Sequence, residues 1–318
     1  MTFVFISFCV SFLVVLWAGK ILPRAIGGIA RILHVSEFIT AFILVAAATS
    51  LPELFVGVSS AIGGIPTLSL GNIFGANLAN MSLILGVAVL FSGTLLGKEG
   101  RLSLQNFWLI FAIAFLPALL GIDGVLSRID GAVLIAAFGL YIAKLFRDKQ
   151  YFHKVLHNHN EPKGFHAAGH ILHHSGQFLL GVAFLVGGSF TLIWAAREII
   201  DVYFNSQFFL FGSIVLAFGT TLPELMFAIR AALSKQSGAV FGNALGSVSF
   251  NAAAVIGIVA LIRPIHIVFS REVLLVGVAL LVSFILFRIF VYARKSLGRA
   301  EGLLFLLIYA AFLFLTLR

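Results

Sequence analysis

Ten apolar stretches, each near the length of a membrane crossing, run through this chain and leave little room for any other fold. Their approximate limits are 2–19, 37–62, 68–92, 105–122, 129–146, 177–197, 207–230, 239–262, 272–290 and 302–317. About 20 apolar residues in a helix cross the hydrocarbon core of a bilayer. Charged residues make up only 10% of the chain, against about 25% in soluble domains. The expectation is an all-α integral membrane protein without a sizeable soluble domain. The first stretch is too long for the apolar core of a cleaved signal, and it reads as a retained helix.

The net charge of +9 invites a nucleic-acid reading, but its distribution excludes one. With the N-terminus outside and ten spans formed, only Arg128, Arg197, Arg263, Arg271 and Arg318 fall on the outer side. Every other Lys and Arg falls inside. That is the positive-inside bias, and attraction to anionic lipid is its by-product. The expected placement is multi-pass in the cell inner (plasma) membrane, with both termini extracellular. A single cysteine, Cys9, excludes an intramolecular disulfide.

Two segments break the apolar pattern in the same way, "AATSLPELFV" at 47–56 and "FGTTLPELMF" at 218–227. Thr49 and Thr220, Pro52 and Pro223, Glu53 and Glu224 all lie 171 residues apart. Gly71 and Gly242, Asn72 and Asn243, Gly75 and Gly246, Asn80 and Asn251 keep the same offset without a gap. This is an internal repeat. Each copy holds five spans, an odd number, so the second copy enters the membrane from the opposite side. Inverted repeats with interrupted helices build many secondary transporters, with the site at midplane where the repeats meet. The expected organisation is a first repeat over 1–146, a His-rich cytoplasmic linker over 147–175 and a second repeat over 176–318.

Of twelve Asp and Glu residues, only Glu53 and Glu224 fall well inside apolar stretches. A charge at the bilayer centre costs at least about 2.5–3.5 kcal/mol on insertion scales, so it faces a partner or a watery cavity. No Lys or Arg lies at matching depth in either motif, which leaves a mobile cation or a proton. Pro52 and Pro223 cannot donate to the carbonyls of Ala48 and Gly219, four residues back, and are expected to bend their helices. Free backbone oxygen is tolerated at membrane depth where it lines a cavity. Thr49 with Glu53, and Thr220 with Glu224, share a helix face at i, i+4; in a plainer reading the threonines bond back to their own helix. Carboxylates, hydroxyls and carbonyls together make an oxygen cage of the kind Ca²⁺ takes. Cys and His, which suit zinc or copper, are absent from these stretches.

The next stretch of each copy adds a second wall. Asn72, Ala76 and Asn80 lie on one helix face, as do Asn243, Ser247 and Asn251. Their amides offer neutral oxygen or brace the glutamates, and Asn72 and Asn243 also fit helix caps. The glycine pairs have the GxxxG spacing that lets helices approach closely.

"ATSLPE" followed by "LGNIFGANLAN", and "GTTLPE" followed by "FGNALGSVSFN", resemble the two alpha-repeats of the calcium/cation antiporter superfamily. The prokaryotic sodium/calcium exchanger branch is the nearest likeness, over motifs at 47–80 and 217–251. The resemblance implies ten transmembrane helices in two inverted five-helix repeats, exchanging Ca²⁺ for Na⁺ by alternating access. It implies no enzymatic activity and no organic cofactor. Glu53 and Glu224 match the Ca²⁺ carboxylates, with Thr49 and Thr220 adding oxygen. Ser50 and Thr221 match hydroxyl positions used by Na⁺, Ser247 a Na⁺-site serine, and Asn80 a position usually held by Asn or Asp. Two departures stand out: Ala76 replaces a common serine, and Asn251 replaces an aspartate frequent in prokaryotic members. With two formal negative charges left, fewer than three monovalent ions per Ca²⁺ are expected, or H⁺ as the counter-ion.

A proton-coupled Ca²⁺ antiporter on the same two glutamates is the second reading. A membrane-embedded metal-dependent enzyme is a remote third, drawing on the histidines clustered in the linker (His153, His157, His159, His166, His170, His173 and His174). Those histidines lie in water about 15 Å from midplane glutamates, and a hydrolase has no need of an inverted second copy. A cation channel would share the acid pair without occluded states. The implied partners are the lipid bilayer and the transported cations, not nucleic acid. Spans one and six, the latter with Gly181, Gly187 and Gly188, are the expected moving pair.

Overall fold

The computed structural model describes residues 1–32, 49–96, 106–147 and 167–318. Most of them are helical. The helices are α1 (Thr2–Ile32), α2 (Leu51–Ile62), α3 (Pro66–Ser92), α4 (Phe107–Leu120), α5 (Arg128–Arg147), α6 (Ala167–Tyr203), α7 (Phe208–Thr220), α8 (Leu222–Leu233), α9 (Ser237–Ile262), α10 (Arg271–Arg294) and α11 (Arg299–Leu317). Short strands β1 (Thr94–Leu96) and β3 (Ile265–His266) follow α3 and α9, while β2 (Val125–Leu126) and β4 (Ser296–Gly298) precede α5 and α11.

Among the described residues, six helices are long and apolar enough to cross a membrane: α1, α3, α6, α9, α10 and α11. The bent pair α7 and α8 makes a seventh if taken as one crossing. Helices α2 and α4 are apolar but shorter, and α5 carries Arg128, Asp130, Lys144 and Arg147 near its ends. Element bounds recur at the spacing of the sequence motifs. Leu51, Pro66 and Arg128 begin helices, and so do Leu222, Ser237 and Arg299. A π-helical stretch interrupts α3 at Asn80–Ile84 and α9 at Phe250–Val255.

Helices α3 and α9 form the centre, with 83% and 78% of their apolar windows buried against 22% for α1 and 28% for α10 and α11. Side-chain size explains the difference. The outer helices present Leu13, Trp17, Leu274 and Val278 outward, where lipid tails are as apolar as they are. Helix α3 presents Gly, Ala, Ser and Asn, which admit a neighbouring backbone. A Cβ added at Gly71 would fall 2.3 Å from the carbonyl oxygen of Phe209, and one at Gly75 2.2 Å from that of Ser213. This is the close approach that the GxxxG spacing predicts for the first copy; in the second, a Cβ at Gly242 meets nothing within 4 Å, so the spacing there does not mark a tight contact at that residue.

The most extensive helix pairing joins α1 and α6, where Gly188 lies beneath Val14 and Val15. From there α1 crosses the start of α2, and a Cβ at its Gly19 would meet the Pro52 ring at 2.7 Å. Elsewhere Phe107, Phe111, Phe284 and Phe287 stack between α4 and α10. Antiparallel pairs β1–β4 (Thr94 opposite Gly298) and β2–β3 (Val125 opposite His266) join segments far apart in the chain.

The structure refines three expectations. The stretch 207–230 is bent, as expected, but at a full break: the helix stops at Thr221 (φ −82, ψ 0), and α7 and α8 meet at 42°. Ser50 (φ −89, ψ 10) precedes α2 in the same conformation, while 33–48 lie outside the described residues. Pro52 and Pro223 therefore occupy the first turn of a new helix, where the missing N–H has no intrahelical acceptor to lose. Next, α6 begins at Ala167, inside the stretch expected as linker; Ala167, Ala168, Ile171 and Leu172 carry its apolar spacing onward. Finally, α1 runs on as a helix to Ile32, while its apolar crossing ends at Gly19, the limit read from the sequence. His153, His157, His159 and His166 lie outside the described residues.

Candidate cation site

The helix breaks converge. Ser50 and Thr221 hold the turn positions, and Glu53 and Glu224 follow in the first turns of α2 and α8. Both carboxylates are completely buried. A helix N-terminus carries roughly half a positive charge, which favours a carboxylate in its first turn. The proline, the break and the glutamate thus act together: the break exposes an N-terminus, and the N-terminus eases burial of the acid.

Hydrogen bonds cross between the two motif copies. Thr49 Oγ1 donates to Asn243 Oδ1 at 3.3 Å, and Thr220 Oγ1 donates to Asn72 Oδ1 at 3.1 Å. These are one contact made twice, each tying the break of one copy to the central helix of the other. Asn72 and Asn243 lie within α3 and α9 and are not caps, and these hydroxyls reach across to the other copy. A hydroxyl with its proton so engaged presents only lone pairs elsewhere, which suits a cation.

The correspondence stops at the next residue. Ser50 Oγ donates to Glu224 Oε1 at 3.2 Å, whereas Thr221 Oγ1 turns back to the carbonyl of Ala217 at 2.7 Å. Both oxygens of Glu53, and Oε2 of Glu224, have no hydrogen-bond partner among the described residues. Basic side chains do not supply one. The buried charged residues among those described are Glu53, Glu224 and Glu301, and Glu301 is paired with Arg294 at the start of α11.

Helices α3 and α9 wall the site. Asn80 Nδ2 donates to the Ala76 carbonyl at 3.0 Å, leaving Oδ1 unpartnered. Ser247 Oγ and both polar atoms of Asn251 are buried and unpartnered among the described residues, as are the Nδ2 atoms of Asn72 and Asn243. Asn80 opens the π stretch of α3, and Asn251 lies in that of α9. Such one-residue insertions recur at functional sites. An unmet buried polar group costs about 1–3 kcal/mol, so the unpartnered oxygens among these atoms, with the two carboxylates, fit a hard cation, while the amide Nδ2 atoms are donors that a cation does not satisfy.

Other expected members are placed less directly. Gly219 is buried at the end of α7, where a Cβ would collide with the Phe12 ring of α1. Ala48 lies outside the described residues. His266 is exposed at the end of β3, and His174 pairs with Gln177 on α6; neither belongs to the site. Two residues escaped the sequence reading, Ser69 and Asn77 on α3, whose Oγ and Oδ1 are buried and unpartnered among the described residues. Their counterparts in the second copy are Val240 and Val248, so a comparison of repeats discards them.

The sequence pattern of the sodium/calcium exchanger proteins matches residues 3–147 and 173–318. An uncharacterized membrane protein of Methanocaldococcus jannaschii is 30% identical over 281 residues, spanning 88% of this chain and 87% of its own. The sodium/calcium exchanger MaX1 of Methanosarcina acetivorans is 25% identical and spans 90% of both chains. Among solved structures, that of the sodium-calcium exchanger NCX_Mj soaked with Na⁺ and Sr²⁺ aligns over 98% of both chains. Its TM-score is 0.64 at 24% identity, a likeness of fold. With the pattern running through both halves, the chain belongs to the sodium/calcium exchanger family, a family of membrane cation antiporters.

Proposed function

We propose that this protein is a secondary active transporter exchanging Ca²⁺ for Na⁺ by alternating access, through one site built on Glu53 and Glu224. The observation that carries this reading is the pair of fully buried carboxylates with three unpartnered oxygens and no basic neighbour among the described residues. Ca²⁺ takes six to eight oxygens at about 2.3–2.6 Å. Glu53, Glu224, Thr49 and Thr220 supply the first of them, with the carbonyl of Gly219 at its break and, on the sequence reading alone, that of Ala48. Ser50, Thr221, Ser247, Asn80 and Asn251 hold Na⁺ or brace the carboxylates. Since both ions need the same two glutamates, one displaces the other, and that competition couples the fluxes.

We read the architecture as ten crossings in two five-helix repeats of opposite orientation, 1–146 and 176–318. The matched element bounds and the reciprocal Thr–Asn bonds support this. The outward placement of both termini draws support from the strand pairs. Pair β1–β4 lies beside Arg294, Lys295 and Arg299, which that topology puts inside, whereas β2–β3 lies beside Arg128, Arg263 and Arg271, which it puts outside. Helix α1 covers both breaks, through Gly19 against Pro52 and Phe12 against Gly219, and with α6 it is the moving pair of this mechanism.

Ca²⁺ uptake into vesicles of purified protein tests the reading, with Na⁺ and pH gradients imposed separately. Uptake driven by the Na⁺ gradient, and lost in Glu53→Gln and in Glu224→Gln, is expected. Uptake driven only by the pH gradient replaces Na⁺ with H⁺ on the same glutamates. If neither gradient drives uptake, the exchanger reading fails.

A further inference from the structure

We infer that a cavity at the outer rim of the molecule, between the start of α3 and the end of α9, binds a phosphate group, free or carried by a lipid headgroup. Its place on the outer side rests on the topology proposed above; the chemistry of the cavity does not.

The cavity measures about 430 Å³, within the range of small-molecule sites. It is lined by residues 64–67 on the turn from α2 to α3, by Phe208 at the start of α7, and by Arg263, Pro264 and His266 after α9. The turn belongs to the first copy of the repeat and the rest to the second, so a ligand here touches both. Gly64 (φ 85) leaves room for the guanidinium, since a Cβ there would fall 3.0 Å from an Nη atom of Arg263.

Arg263 brings a positive charge without a counter-ion. Among the described residues the ion pairs are Arg197 with Asp201 and Arg294 with Glu301. Asp123, beside β2, accepts from the Val125 N–H at 3.1 Å. A guanidinium presents its donors in a planar fork that matches two phosphate oxygens at once. The His266 ring adds an N–H in either tautomer. Thr67 follows Pro66 in the first turn of α3, where a backbone N–H has no intrahelical acceptor. A bare halide takes about the room of one water, roughly 30 Å³, and leaves most of the cavity unfilled. Phosphate oxygens point several ways and reach several donors, while Phe208, Pro66 and Pro264 give an esterified phosphate an apolar surface for its carbon chain.

The scaffold itself does not demand these bases. At the offset of the repeat, Arg263 and His266 answer to Ser92 and Leu95, and Gly64 to Lys235, which takes a left-handed turn of its own (φ 58). The opposite rim therefore closes without an arginine or a histidine at the matching places.

Thermal unfolding of the purified full-length protein in detergent tests the inference, in potassium salts without Ca²⁺. One arm titrates potassium phosphate against potassium chloride at equal ionic strength. The other titrates phosphatidylglycerol in mixed micelles against diacylglycerol, which lacks the phosphate. A saturable rise in melting temperature is expected; in the first arm it assigns the cavity to free phosphate, and in the second arm alone to a lipid headgroup. Arg263→Gln raises the half-saturating concentration about ten-fold or more, and Arg263→Lys, with charge but no fork, recovers part of the loss. His266→Ala, at an exposed strand position, weakens binding about three-fold or more. Arg271→Gln, an exposed base outside the cavity, leaves it unchanged. No saturable rise in either arm overturns the inference. So does an unchanged half-saturating concentration in Arg263→Gln, or in His266→Ala should Arg263→Gln fail to fold.

Discussion

Ser50 donates to Glu224, whereas its counterpart Thr221 turns back to Ala217 instead of to Glu53, so the two carboxylates are unequal although their motifs match. Ser50→Ala strips Glu224 of that bond. At about 1.5–3 kcal/mol for a hydrogen bond to a charged group, the half-saturating Ca²⁺ concentration for uptake rises about ten-fold or more. Ser50→Thr keeps the hydroxyl and recovers most of the loss; equal defects in both variants would mean that Ser50 acts through packing. The Thr49–Asn243 bond predicts non-additivity. Thr49→Val and Asn243→Ala couple by about 0.5–1.5 kcal/mol in thermal unfolding of the detergent-solubilised protein, and additive losses would contradict the contact. At this scale the glutamates were legible in the sequence, because a lone carboxylate in an apolar run is conspicuous. The Thr–Asn bonds were not. Sequence spacing offers only neighbours within one copy, so it paired Thr49 with Glu53, while the structure pairs Thr49 with a residue of the other copy.

Among the elements, α3 owes its central place to glycines that bring the α7 backbone within reach. Gly71→Ala drives a methyl group toward the Phe209 carbonyl, and overpacking of this kind costs about 1–3 kcal/mol. The melting temperature falls accordingly. Gly187→Ala on α6, where a Cβ meets nothing within 4 Å, changes stability by less than about 0.5 kcal/mol. Comparable losses in the two variants would refute the tight α3–α7 contact. Six of the span positions were readable from length and hydropathy. The breaks were not, because a proline in an apolar run fits a kink as well as the first turn of a new helix. The π stretches leave no mark either: one extra residue in a turn changes neither composition nor periodicity enough to be seen.

Among the described residues an inner pair of buried, tightly packed helices lies inside a set of more exposed ones, with α1 and α6 against each other along one side. Cys9, exposed on α1 and the single cysteine of the chain, is a ready reporter of that side. A fluorophore attached there changes its emission when Ca²⁺ replaces Na⁺ in wild-type protein and stays silent in Glu53→Gln and Glu224→Gln. A label that never responds argues against α1 as a moving part. The strand pairs bear on a different matter, the order of assembly. Strand β1 finds its partner only at residues 296–298, and Thr49 finds its acceptor only at Asn243. At ribosomal rates of about 5–20 residues per second, the first half waits roughly ten to forty seconds in the bilayer before its strand can pair. Throughout that interval a carboxylate destined for burial, a threonine without its amide and an open strand edge all lack their native contacts. The newborn first half is the most vulnerable form the protein passes through, and the one with most to gain from an insertion factor that shelters it.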